Sequence, residues 1–162
     1  ASLHGVPQSR KRAVVVAKLG ATDDWLPRPE VISERPMTVR DYLGSGIEID
    51  AYYRHPRNYQ RRAVFSVDEP SPTVRGVNRP VPANHQPHPG DAADIRTARA
   101  LTTAERARIQ TFPADYKWIG SKTAVEQMIG NAVPPALGKV LGQAILADIM
   151  RDRIANEEIC AA

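Results

Sequence analysis

The stretch GVPQSRKRAVVVA, residues 5–17, places Gln8, Arg10 and Arg12 at alternate positions directly before a five-residue apolar run. If the backbone is extended there, its two-residue period puts these three side chains on one face, with Ser9 and Lys11 on the other. One amide and two guanidinium forks on a single face can grip phosphate oxygens in pairs or donate to the carbonyl of a base. An exposed extended stretch with incidental charges accounts for the same residues equally well. A second candidate is PSPTVRG, residues 70–76, in which Pro70 and Pro72 stiffen the approach to Thr73 and Gly76 releases the chain after Val74 and Arg75. A hydroxyl and backbone amides held at a fixed place can bind a phosphate, although a proline-rich loop more commonly serves packing alone. The third candidate is QMIGNAVPP, residues 127–135, a Gly-Asn turn ahead of an apolar helix. Gly130, Asn131, Ala132 and Val133 there could bring backbone close to a ligand or simply cap the helix.

Other features carry less. The Gly-x-Gly within LGSG, residues 43–46, is followed by Pro56 and arginines where a nucleotide-binding fold needs a helix. His85 and His88 lie in a proline-rich stretch with no cysteine or carboxylate cluster beside them, so no metal is expected. Cys160 has no base close in sequence and sits in a tail that reads as a fraying helix end, which makes it a poor nucleophile.

These candidates need elements to hold them. Ala13 to Ala17 is short, β-branched and closed by Gly20, the pattern of a fully buried strand. MTVRDYLGSGIEI offers a short helix or turn, and RRAVFSV, residues 61–67, a strand with Ala63, Phe65 and Val67 on one face. Six prolines between residues 68 and 91 rule out regular structure there and imply an extended loop. RALTTAERARIQTFP predicts a helix begun by a capping box of Thr102 and Glu105 and stopped by Pro113. Pro134 and Pro135 suit a first helical turn, after which Leu137, Val140, Leu141, Ala144, Ile145 and Ile149 recur at helical spacing, which predicts an amphipathic helix with one buried face. Gly138 and Gly142 on that helix suggest close packing against a neighbour.

The totals point toward a polyanion. The net charge of +4 is uneven: residues 1–20 hold Arg10, Lys11, Arg12 and Lys18 with no acid, and residues 54–79 hold six arginines against Asp68 and Glu69. Each segment alone carries +4, so the remainder is net acidic. Two basic patches of this kind fit nucleic acid. A single cysteine excludes an internal disulfide framework and suits a reducing, cytoplasmic setting. No apolar run approaches the roughly 18 residues of a membrane span, so no membrane partner is expected.

In order and wording, GVPQSRKR, PSPTV, RALTTAERARIQTFP and QMIGNAVPP resemble the C-terminal part of the DNA cytosine-5 methyltransferases, over about residues 5–147. The matches are to the family's Gln-x-Arg-x-Arg motif, its variable target-recognition region, its Arg-x-Leu-Thr-x-x-Glu motif ending in Gln-x-Phe-Pro, and its Gly-Asn-x-Val motif. The resemblance implies that Arg12 contacts a cytosine flipped out of double-stranded DNA, while Arg10 and Gln8 hold backbone and catalytic groups nearby. It implies that Thr73 and Val74 brace the phosphate beside that nucleotide. It also implies that Arg99, Thr102, Glu105, Gln110 and Phe112 organise the recognition domain, and that Gly130 to Val133 line the site of S-adenosylmethionine. Base reading would fall to residues 21–98, with Arg54, Arg57, Arg61, Arg62 and Arg75 as the DNA-binding candidates.

The departures matter as much. There is no Pro-Cys nucleophile, no Glu-Asn-Val motif and no Phe-x-Gly-x-Gly cofactor loop in this sequence. The expectation is therefore an α/β protein in two parts: an incomplete Rossmann-like remnant of a catalytic domain, one strand and the C-terminal helix, and a small loop-rich target-recognition domain. The boundaries are 1–20, 21–126 and 127–162. Such a chain would be inactive alone and would need a catalytic subunit or a missing N-terminal half, in a bacterial cytoplasm close to the nucleoid, with restriction-modification as the setting. A stand-alone sequence-specific DNA-binding module and an inactive remnant are the alternatives.

Overall fold

Proline and glycine interrupt the chain so often that its regular elements stay short until the last helix. The computed structural model describes residues 1–22, 25, 27–58 and 60–161, with side chains of the final helix described as far as Ile154. Helix α1 (Val39–Leu43) starts on a capping box in which Thr38 accepts from the Asp41 amide and Asp41 accepts from that of Thr38. Strand β1 (Ala51–Tyr53) pairs antiparallel with β2 (Val64–Ser66) and parallel with β3 (Arg99–Ala100), giving the order β2-β1-β3. Tyr52 lies opposite Phe65 with the rings stacked 6.1 Å apart.

The predicted capping box is present at α2 (Thr103–Ile109), where Thr102 and Glu105 exchange bonds of 3.2 and 2.7 Å. Arg99 reaches over from β3 and donates to both oxygens of Glu105, at 2.6 and 2.8 Å. The Arg-x-Leu-Thr-x-x-Glu spacing is thus a strand end clamped to a helix start, and Arg99 and Ala100 precede the helix. Past α2, Thr111 takes a positive φ of 67°, and its hydroxyl accepts from the Ala136 amide at 3.0 Å. That bond fixes the start of α4 (Pro135–Ala161) against the end of α2. Among the described residues no helix is long and apolar enough to cross a membrane.

The core joins these elements: Val39, Leu43 and Ile47 meet Tyr52, Phe65, Val67 and Val74, and beyond them Leu101, Ala107, Ile109, Val125 and Ile129. Ala63, Phe65 and Val67 are buried as the alternation requires, but Val64 is buried too. The loop that follows covers its side of the sheet, with the Asp91 carboxylate accepting from the Ala63 and Val64 amides and Ala92 donating to the Val64 carbonyl. The proline-rich residues 70–91 form no helix and join a strand partner only through a bridge between Ser71 and Gln8.

Four expectations are corrected. Residues 13–17 form no strand, and Val15 is 93% exposed; no strand among the described residues runs beside them to take the ladder bonds that a buried run of valines needs. The three-stranded sheet belongs to the middle of the chain and does not include this run. Gly130 and Asn131 are no free turn but the last residues of a helix, α3 (Lys122–Asn131), capped by Ser121. Along α4, Leu137 and Val140 are buried while Ile145 and Ile149 on the same stripe are largely exposed. Gly138 and Gly142 face open space instead of a neighbour.

Candidate nucleic-acid interface

Three chain segments converge on one cleft of about 690 Å³. The extended N-terminal segment contributes Arg12, the β1–β2 hairpin contributes Arg54, Arg57, Gln60, Arg61 and Arg62, and the proline loop contributes Pro72, Thr73 and Arg75. Six of the arginines singled out from the sequence are thereby brought together with Thr73, although Arg12 and Arg75 are 63 positions apart in sequence. Val74 is not in the cleft; it is buried in the core behind it.

The six guanidiniums are held differently. Arg54 donates to the Thr73 carbonyl at 2.9 Å, and burial, helped by the charge of Arg75, lowers its pKa to about 10. Arg75 donates to the His55 carbonyl, with its pKa lowered by burial and then by Arg57 and Arg79. Arg62 pairs with Glu69 at 2.6 Å and lies 4.3 Å over the Phe65 ring. Arg12 donates to the Lys11 carbonyl, whereas Arg57 and Arg61 have no side-chain partner among the described residues. Arginines that depress one another's pKa repel, and a polyanion laid across the cleft relieves that repulsion.

A buried layer of amides supports the cleft. Gln8 is wholly enclosed: its Nε2 donates to the Ile109 carbonyl at 3.0 Å and to Gln110 Oε1 at 2.6 Å, and its Oε1 accepts from the Val74 amide at 3.1 Å. Gln110 Nε2 in turn donates to the carbonyls of Ile129 and Ala132. The sequence pattern placed Gln8, Arg10 and Arg12 on one face. Gln8 and Arg10 do point inward together, but Arg12 turns out into the cleft. Arg10 is nine-tenths buried and donates to the Ala132 carbonyl at 3.3 Å, while its Nε and Nη1 meet no acceptor among the described residues. Burial, then the charge of Arg12, lowers its pKa.

The 130–133 segment divides by residue. A Cβ on Gly130 would overlap the backbone of Arg75 and Gly76, so its missing side chain admits the proline loop. Ala132 offers its carbonyl to Gln110 and Arg10. Asn131 and Val133 are exposed on the adjoining surface. Sequence reasoning missed Gln60 and His88, which also line the cleft, although Gln60 stands beside the flagged Arg61. It missed as well the buried pairing of Arg106 with Glu126, which Thr103 Oγ1 supports at 2.7 Å. Among the described residues no group of three or more His, Cys, Asp or Glu side chains could hold a metal, and the side chain of Cys160 lies outside those described.

The profile of the C-5 cytosine-specific DNA methylases matches residues 1–147. Type II methyltransferase M.HgiDI of Herpetosiphon aurantiacus is 51% identical over 156 residues, 95% of this chain and 50% of its own length. Type II methyltransferase M.HindV of Haemophilus influenzae is 51% identical over 150 residues, 90% of this chain and 49% of its own. The chain thus spans about half the length of these relatives.

Proposed function

The chain belongs to the C-5 cytosine-specific DNA methylase family, and on that premise we propose that it supplies DNA recognition and one wall of the active site for methyl transfer to cytosine C5. The observation that carries this reading is the single cleft in which Arg12, Thr73 and the hairpin arginines meet. Arg12 donates to the carbonyl of the flipped cytosine, and the Thr73 loop, held from behind by Gln8, holds the neighbouring phosphate. Arg10, with two buried donors unpartnered among the described residues, takes an acceptor from the catalytic half of the enzyme. Asn131 and Val133, an amide and an apolar side chain two residues apart in sequence and both exposed, fit one side of the S-adenosylmethionine site. When bound, that cofactor supplies the electrophilic methyl group.

The sequence holds no Pro-Cys, so the nucleophile comes from elsewhere and this chain alone does not methylate. Val14, Val15 and Leu19, with Ile145, Leu146 and Ile149 of α4, are apolar side chains left exposed, and the catalytic half covers them. The test combines this chain with the catalytic half of M.HgiDI and labelled S-adenosylmethionine. Methyl transfer is expected only in the mixture, and Arg12→Ala abolishes transfer while DNA is still bound. Tight sequence-specific binding by the lone chain, with no transfer in any such pairing, would favour a stand-alone DNA-binding module instead.

A further inference from the structure

Resting on that reading, we infer that Gln60, at the tip of the β1–β2 hairpin, determines specificity by reading the major-groove edge of an adenine, with Arg57 and Arg61 taking guanines on either side. The five cleft arginines of the hairpin and proline loop divide by their bonds. Arg54, Arg62 and Arg75 are committed to Thr73, to Glu69 with Phe65, and to His55. Each is thereby held against the protein and forms part of the cleft wall. Arg57, Gln60 and Arg61 are exposed, and none has a side-chain hydrogen bond or ion pair among the described residues.

The described backbone beside them is nevertheless tied by hydrogen bonds. Arg54 donates to the Ala63 carbonyl at 2.8 Å across the base of the hairpin, and Pro56 is buried. Asn58 accepts from the Gln60 amide through its side chain and from the Arg61 amide through its carbonyl. Free side chains on a held backbone lose little freedom beyond their own rotamers when they bind. A two-stranded ribbon also has the width that the major groove admits.

The chemistry separates the roles. A neutral amide among cations releases no counterion and gains little from a phosphate, which the neighbouring arginines hold better. Its paired donor and acceptor match adenine N6 and N7, as the guanidinium fork matches guanine O6 and N7. His88 also lines the cleft, but its Nδ1 already accepts from the Gly90 amide at 2.9 Å.

The experiment uses this chain reassembled with the catalytic half of M.HgiDI and a randomised duplex library, so that methylation reports preference at every position at once. Gln60→Leu is expected to lower discrimination at one A·T position by about 5- to 150-fold, the value of one bidentate contact, leaving the other positions unchanged. Arg57→Ala and Arg61→Ala each relax a G·C position, and Arg62→Ala relaxes none. If Gln60→Leu weakens all sequences evenly, or changes no preference, the inference is overturned while the functional reading stands. A wild-type mixture that neither binds nor methylates DNA overturns the functional reading instead.

Discussion

Replacing Gln8 tests the architecture at the point where the cleft, α2 and the 130–133 segment meet. Gln8→Leu keeps the volume but removes three bonds at once, leaving the Val74 amide without an acceptor and the Ile109 carbonyl and Gln110 Oε1 without a donor. Each buried polar group deprived of its partner costs about 1–3 kcal/mol. Because Gln8 is fully enclosed, water cannot take its place, and a total loss of about 3–6 kcal/mol is expected. Urea unfolding followed through the fluorescence of Trp25 and Trp118 measures it as a fall in midpoint at constant slope. Gln8→Glu sharpens the test, since a carboxylate would face two acceptors. Burial among acceptors raises its folded pKa above the ordinary value of roughly 4.3, so stability retained below that pH is lost as pH rises through the folded value. Gln8→Glu unfolding like the wild type at pH 8 would refute the bonding scheme, and with it the claim that Gln8 holds the Thr73 loop.

Further predictions separate packing from open surface. Gly130→Ala should destabilise by about 1–3 kcal/mol or more, because its Cβ falls on the Arg75–Gly76 backbone, whereas Gly142→Ala in open space on α4 should gain up to about 1 kcal/mol; paired thermal melts decide. Arg35, and then the Thr38 amide, hold the Asp41 carboxyl down at about 2. The support it gives the α1 cap is present above the usual carboxylate range and is lost as pH falls through about 2, with Arg35→Ala moving the NMR titration midpoint upward. Ile149→Asp, on the exposed stripe of α4, should leave the unfolding midpoint of the chain within about 0.5 kcal/mol and abolish copurification with a catalytic half.

The local signals in the chain are read reliably where the deciding partners are close in sequence. Thr102 and Glu105 are three residues apart and could be recognised as a cap, and the six prolines of 70–89 exclude ladders wherever they fall. Ala13 to Ala17 failed for the opposite reason. A valine run is a strand only if neighbours accept its bonds, and those neighbours are not specified by the run itself. α3 escaped notice because Lys122–Asn131 has no clean apolar stripe and ends on the Gly-Asn pair that suggested a turn.

From the sequence alone come the residue types and their motif order, hence the family, and the basic character of two segments. The three-dimensional arrangement decided how each of these side chains is held. Only there does Arg62 turn to Glu69, Arg54 to the Thr73 carbonyl and Gly130 to the proline loop, while Arg57, Gln60 and Arg61 are left free at a hairpin tip. An arginine looks the same in sequence whether its donors are used or unused. Which of the two it is depends on contacts between residues tens of positions apart.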